Sequence, residues 1–293
     1  MDNWDEIRTA FHVARLGTVS GAAEALGVHH ATVIRHVDAL EARLGVKLFQ
    51  RHARGYTATE AGEDLLRVAQ ATDEQFQQLA GRIKGQGSDV SGELMVTSLI
   101  NFSPILLPAL SSFQTAHPGV TIRYMTDERV YRLEYGEAHV AVRAGQQPDE
   151  PDNVVQPFFT ERLALYAARS YIEAHGHPQT DAELAEHGFI GHAHPDNRSP
   201  FGAWLREAVA EPRILFRVAD YRVMEEAVMS GAGIGFVSVA KAEAHPDLVQ
   251  IVPPRDSWSV KLWLVTHVDL HRTAKVQAFL KHLKAYASEL GLA

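Results

Sequence analysis

Residues 20–44, SGAAEALGVHHATVIRHVDALEARL, constrain the chain most, because they read as two short helices around a tight turn. Ser20 is a suitable N-cap for the first helix, since its hydroxyl can satisfy an orphan backbone N–H; Ala22, Ala23 and Leu26 then give a small packing face that ends at Gly27. From about His30, the residues Val33, Val37, Leu40 and Leu44 recur at steps of four, three and four, so they form one buried stripe on a second helix. At about 100° per residue, the opposite face carries Ala31, Arg35, Asp38 and Ala42, flanked by Thr32 and Ile34. That face, opened by His29 and His30, has the form of a helix that enters a major groove. An ordinary helical hairpin shares these features, and the following residues decide between the two.

Residues 44–62 read LGVKLFQRHARGYTATEAG. Val46, Leu48 and Phe49 can close a small core, whereas Arg51, His52, Arg54 and Gly55 form a basic turn between short extended pieces, as a wing lying along phosphates requires. Between Gly27 and Thr57, five basic residues (Arg35, Arg43, Lys47, Arg51, Arg54) face Asp38 and Glu41, a local charge of +3 in a chain of net charge −8. A basic excess placed beside a helix-turn-helix points to DNA, and the acidic remainder excludes indiscriminate binding of nucleic acid.

Several spaced motifs then occur in one order: Ala22-Ala23-Glu24-x-Leu26, Val33-x-Arg35-x-Val37-x-x-Leu40-Glu41, Leu44-Gly45-x-x-Leu48-Phe49-x-Arg51 and Thr59-x-Ala61-Gly62. In these the chain resembles the LysR-type transcriptional regulators. It departs from the family's usual Ser-Gln pair at the start of the recognition helix, where it has His29-His30, and from the usual Ser before the Arg, where it has Ile34. The resemblance implies a winged helix-turn-helix, a long linker helix and an effector domain similar to two-lobed periplasmic binding proteins. It also implies binding to double-stranded DNA carrying an interrupted inverted repeat, assembly as a homodimer or homotetramer, and contact with RNA polymerase.

The rest of the chain fits that plan. Asn3 to Leu16 is an amphipathic helix whose Trp4, Ile7, Phe11, Val13 and Ala14 can support the helix pair. Thr59 can cap a helix running to about Lys84, with Glu60 and Glu63 at the favourable end of its dipole. Along it Gly62, Leu65, Ala69, Thr72, Phe76, Leu79 and Ile83 alternate steps of three and four, the repeat of a coiled-coil seam, which predicts pairing of two chains. Residues 85–92 are polar and rich in Gly and Ser, hence a hinge. Strands and helices then alternate, including a helix over Val130 to Glu137, and predict parallel sheets in two α/β lobes. The division expected is 1–58 for the DNA-binding head, 59–84 for the linker helix, 85–92 for the hinge and 93–293 for the effector domain. Within the last, residues 93–160 with 268–293 form one lobe and 161–267 the other, joined by crossovers near 161 and 267.

In such a domain a ligand lies beyond the carboxyl ends of the strands. That singles out Ser98 and Asn101 after the first strand, Thr126 after the second, and Val218, Asp220 and the vicinity of Arg198 across the cleft. The family's effector sites match Ser98 and Thr126 best. Arg143 and Arg198 are candidate partners for the carboxylate of a small organic acid.

Other chemistries find little support. Gly231-Ala-Gly233-Ile-Gly235 follows a helix and precedes a strand, the reverse of a dinucleotide fingerprint, so it reads as a helix stop and turn. No Walker loop, nucleophile elbow or H-E-x-x-H pair is present, and with no cysteine there is no thiolate site, so no catalytic residue, metal or cofactor is expected. His175-x-His177 and His192-x-His194 read as loop histidines. No segment approaches a membrane span and residues 1–6 do not open a signal peptide, which predicts a cytoplasmic protein. The competing reading is a solute-binding or enzymatic α/β protein with an accessory helical assembly module.

Overall fold

A computed structural model describes residues 4–52, 55–83, 90–126, 129–194 and 199–292, with backbone only for residues 71, 74, 75 and 77–83. The head consists of α1 (Trp4–Leu16), α2 (Val19–Leu26), α3 (His30–Leu44) and an antiparallel hairpin of β1 (Phe49–His52) and β2 (Gly55–Ala58). Thr18, rather than Ser20, caps α2: its hydroxyl accepts the Gly21 N–H at 3.1 Å. Ser20 lies within the first turn, and its Oγ meets His30 Nε2 at 2.7 Å. Val33, Val37 and Leu40 are buried as the periodicity requires, together with Ala10, Val13, Ala22, Leu48 and Phe49. Leu44, Val46 and Trp4 are corrections to the expected core. All three are exposed and border an apolar groove between α1 and the long helix α4 (Glu60–Ile83), because α3 ends at Leu44 beyond the reach of the small head core.

Thr59 starts α4 as expected, its Oγ1 accepting the Gly62 N–H at 3.2 Å while donating to the Lys47 carbonyl. Gly62 belongs to a different contact from the one its place in the seam suggests. A Cβ there would collide with the Leu48 carbonyl, so its glycine lets α4 press against the wing.

The expected hinge falls largely outside the described residues, and the next elements are β3 (Gly92–Ser98), α5 (Ser103–Ala116), β4 (Val120–Thr126), β5 (Val140–Ala144) and β6 (Asn153–Glu161). The chain then leaves for a second lobe of β7 (Leu163–Ala168), α6 (Arg169–His175), α7 (Asp181–Glu186), β8 (Phe189–His192), α8 (Pro200–Ala208), β9 (Ile214–Val218), α9 (Tyr221–Met229), β10 (Gly235–Ser238), α10 (Val239–Glu243) and β11 (Leu248–Val252). It returns through β12 (Val260–His267), α11 (Val268–His271) and α12 (Ala274–Glu289).

The first lobe holds one five-stranded sheet, β4-β3-β5-β12-β6, in which β3 runs parallel to β4 and β5 while β12 is antiparallel to β5 and β6. The second has β7 between antiparallel β10 and β11, and a parallel pair β8-β9 joined to it by the bridge Phe189–Ile234. The lobes are therefore mixed rather than parallel throughout. The reason is visible in β6 and β12, the two connecting strands, which pair along their length down to Glu161 opposite Val260. The return crossing consequently lies just before Val260, not near 267, and β12 is part of the first lobe's sheet.

Phe113 and Phe279, whose rings meet edge-on at 5.2 Å, anchor α5 and α12 over the first sheet. Buried Lys275 of α12 donates to the Glu93 carbonyl and lies 3.3 Å from His139 Nε2, whose Nδ1 accepts the Met95 N–H. The helix expected over Val130 to Glu137 is replaced by a single 3-10 turn, Leu133–Tyr135. Only Leu133 is buried there, and Glu137 folds back to accept the Arg132 N–H at 2.9 Å.

Candidate DNA-contacting face and interlobe cavity

The exposed N-terminal end of α3 presents His29, His30, Ala31 and Arg35 outward, with Thr32 and Ile34 half-buried at its margins. Ile34 leans on the head core, so its side chain is shared between packing and surface. Arg35 forms no ion pair among the described residues.

Sequence reasoning missed the residue that fixes this face to the wing, Glu41. It is 3% exposed, and one carboxylate oxygen accepts the backbone N–H groups of Leu48 (3.0 Å) and Phe49 (3.2 Å). The other oxygen takes Lys47 Nζ (2.5 Å) and Arg51 Nη2 (3.2 Å). Burial by itself would raise this carboxyl's pKa, but hydrogen bonds from Lys47 and the two amides outweigh it and hold the group below the ordinary carboxylate range. The only signal available was the pairing of Leu40-Glu41 with Leu48-Phe49 in one motif order.

Arg51 consequently has a different position from the phosphate-facing one expected. It donates to Asp38 Oδ1 at 2.5 Å and to Glu41, and lies 5.2 Å from the Tyr56 ring. It locks the wing onto α3. Gly55 docks the wing on the other side: its φ is +143°, a Cβ would strike the Gly17 carbonyl, and the next residue's N–H bonds that same carbonyl at 2.8 Å. Arg54, at the wing's tip, lies outside the described residues.

Along α4 the expected seam divides. Leu65 and Ala69 pack toward the head, Ala69 fully buried, and Thr72 is half-buried. Phe76 is 52% exposed and meets Trp4 edge-on at 5.4 Å. The side chains of Leu79 and Ile83 lie outside the described set, although the backbone continues helical to Ile83.

Between the lobes, beside the crossing strands, is a cavity of about 960 Å³. Asn101 lines it, but of the expected effector residues among those described it does so alone. Ser98 turns inward, bonding the Tyr124 hydroxyl (2.7 Å) and the Leu99 carbonyl, so Leu99 faces the cavity instead. Thr126 is exposed at the end of edge strand β4. Arg143 is engaged by Glu150 (3.1 Å) and the Tyr131 carbonyl (3.2 Å). Val218 ends β9 in a packed cluster, and Asp220 caps α9 by accepting the Arg222 and Val223 N–H groups, leaving Tyr221 to face the cavity. Arg198 lies outside the described residues.

Two features of the cavity were not anticipated. Its walls are apolar, with Phe102, Ile105, Leu163, Phe201, Phe236 and Val260. Its polar end holds Glu161, Glu225, Ser238 and Lys241; Lys241 Nζ donates to Glu225 at 2.5 Å. Burial pushes the pKa of Glu161 up, Glu225 adds to the rise, and a hydrogen bond with Ser238 only partly offsets it.

The sequence models of known families divide the chain where the structure does. Residues 4–63 match the bacterial regulatory helix-turn-helix of the lysR family, and residues 87–288 match the LysR substrate binding domain. The chain belongs to the LysR-type transcriptional regulators. This LysR-type regulator is 30% identical over 256 residues to the transcriptional regulator IlvY of Escherichia coli K12, covering 84% of each chain. Its fold is similar to that of CrgA from Neisseria meningitidis, at a TM-score of 0.59 and 24% identity over 99% of this chain and 100% of that one. CbnR in complex with its target DNA aligns at a TM-score of 0.57 and 24% identity, covering 97% and 100%. LysG of Corynebacterium glutamicum with bound effector Arg aligns at 0.66 and 18% identity, covering 98% of each. The competing reading as a solute-binding or enzymatic protein leaves the head's match unexplained. Among the described residues no helix is long and apolar enough to cross a membrane, and no group of three or more His, Asp or Glu side chains is arranged to hold a metal.

Proposed function

We propose that this regulator reads an interrupted inverted repeat in double-stranded DNA through paired heads, and that a small molecule in the interlobe cavity resets the geometry of the pair. The observation that carries the reading is the outward face of α3 held rigidly to the wing by Glu41, with Arg35 at its centre. Arg35 reads a base edge, His29, His30, Ala31, Thr32 and Ile34 tune which sequence is read, and Arg54 meets phosphate. Exposed Leu44, Val46 and Val68 around an apolar groove of about 520 Å³, with exposed Phe76 against Trp4 at its rim, support pairing of two chains through α4, as a homodimer or, with effector domains also paired, a homotetramer. A head spaced in this way can also present a surface to RNA polymerase beside the operator.

The test is a salt series of gel shifts on the region upstream of the regulator's own gene against random DNA. Tighter binding to the upstream region at every salt concentration is expected. Equal, weak binding to both would refute sequence-specific reading at that site.

A further inference from the structure

We propose that the interlobe cavity takes a ligand with a protonated amine on an apolar body, and that Glu161 is its counter-ion. The assignment rests on the cavity being the effector site. Among the described lining residues there are two carboxylates, Glu161 and Glu225, and one ammonium, Lys241. That ammonium is already committed: Lys241 Nζ lies 2.5 Å from Glu225 Oε2, while Glu225 Oε1 takes the Ser238 N–H at 3.4 Å. Glu161, beside Ser238, has no Lys or Arg of its own among the described lining residues, where His245 is the further group able to carry positive charge.

With Glu225 matched by Lys241, an ionised Glu161 leaves one negative charge in excess, so an incoming carboxylate adds a like charge whereas an ammonium completes the set as two ion pairs. Arg143, one of the two arginines expected to meet an acid, is held by Glu150 and the Tyr131 carbonyl and does not line the cavity. The apolar wall is also suited to a cation-bearing body. Phe201 and Phe236 lie 5.0 Å apart, and Tyr221 packs edge-on to Phe201 at 5.4 Å, so aromatic rings line the same cavity as the charged end.

Placement of the counter-ion explains how binding would be felt elsewhere. Glu161 is the last residue of β6, opposite Val260 on the other connecting strand, whereas Ser238, Glu225 and Lys241 belong to the second lobe. An ammonium held at Glu161 beside these groups therefore bears on both lobes at the point where the chain crosses between them. Its binding energy is differential between open and closed lobes, which a shift of population requires.

The experiment uses the full chain and two matched pairs of probes: phenethylamine against phenylpropanoate, and isopentylamine against isocaproate. Binding is measured by calorimetry, and its location by hydrogen exchange of residues 163–168 and 235–238. At least one amine is expected to bind wild type, to protect those segments, and to bind Glu161→Gln about tenfold or more weakly, the loss of one charge-assisted contact. Glu161→Gln is nearly isosteric and removes a carboxylate that burial disfavours, so its ligand-free Tm should not fall. A carboxylate that protects the same segments and binds more tightly than its amine partner would leave the cavity as effector site and overturn the ammonium assignment; loss of that binding in Arg198→Ala would name the cation responsible. Equal binding of amine to wild type and Glu161→Gln overturns the role of Glu161. If none of the four probes binds, both the ammonium assignment and the cavity as effector site fall.

Discussion

Replacing Glu41 by Ala removes the acceptor for two buried backbone N–H groups, those of Leu48 and Phe49, and takes one carboxylate partner from Lys47 and Arg51. Leaving one buried donor unsatisfied costs about 1–3 kcal/mol, so the pair is worth about 2–6 kcal/mol before water enters the space left by the side chain. With partial solvation the lower half of that range, about 2–4 kcal/mol, is expected. At about 1.4 kcal/mol per factor of ten, exchange of the Leu48 and Phe49 amides should accelerate by about thirtyfold or more. Hydrogen exchange with mass spectrometry on the full chain reads this directly, and the effector domain serves as internal control. Operator affinity should fall with it, since the wing is no longer fixed to α3. Acid should mimic the substitution. The folded-state pKa of Glu41 is depressed, so its contribution is present above the unfolded carboxyl's pKa and is lost as pH falls through the lower, folded value. Exchange at these two amides changed less than threefold in Glu41→Ala, with operator binding intact, would refute the clamp.

Arg35→Ala should relax sequence preference by about 1–3 kcal/mol at one base pair of each half-site, measured by competition between operator variants, while changing non-specific binding little. Arg54→Ala should instead weaken all sites and reduce the salt slope by about one. Phe76→Glu should abolish pairing through α4 and operator binding, as sedimentation and gel shift would show, while the circular dichroism of the effector domain persists. Thr18→Ala removes the N-cap of α2 and should lower the head's stability by about 1 kcal/mol, read in urea unfolding, whereas Ser20→Ala should not.

The head was legible because its signals are local: the stripe of Val33, Val37 and Leu40 and the capping Thr59 are found as expected, while Leu44 falls beyond the core. Glu41 was not, since a charged residue on a helix reads as surface unless the partners that permit its burial, six to ten residues further on, are known. In the effector domain β6 escaped notice because Pro157 interrupts it. The sheet tolerates that proline because β6 is an edge strand and its register shifts beside it. Of the expected effector positions, Ser98 and Asp220 each lie one residue from a residue that lines the cavity. Ser98 closes β3 facing inward, and the 3-10 turn that follows at Ile100 brings Leu99 and Asn101 to the cavity, a change of direction that strand alternation cannot foretell. Arg143 was offered to a ligand because its chemistry suited one; its attachment to Glu150 depends on a loop whose path no periodicity records.

The position of β12 in the first sheet also sets a timetable for synthesis. A ribosome releases β3, β4 and β5 early, but their sheet lacks its fourth neighbour, and the helix whose Lys275 reaches Glu93, until nearly the whole chain has emerged. The second lobe, whose strands lie between residues 163 and 252 and whose core ends with Trp258 and Val260, can close before then. A frameshift or stop codon just after Val260 would thus spare the second lobe's strands and core and dismantle the lobe begun first, leaving apolar strands from the middle of the polypeptide open to chaperones and proteases.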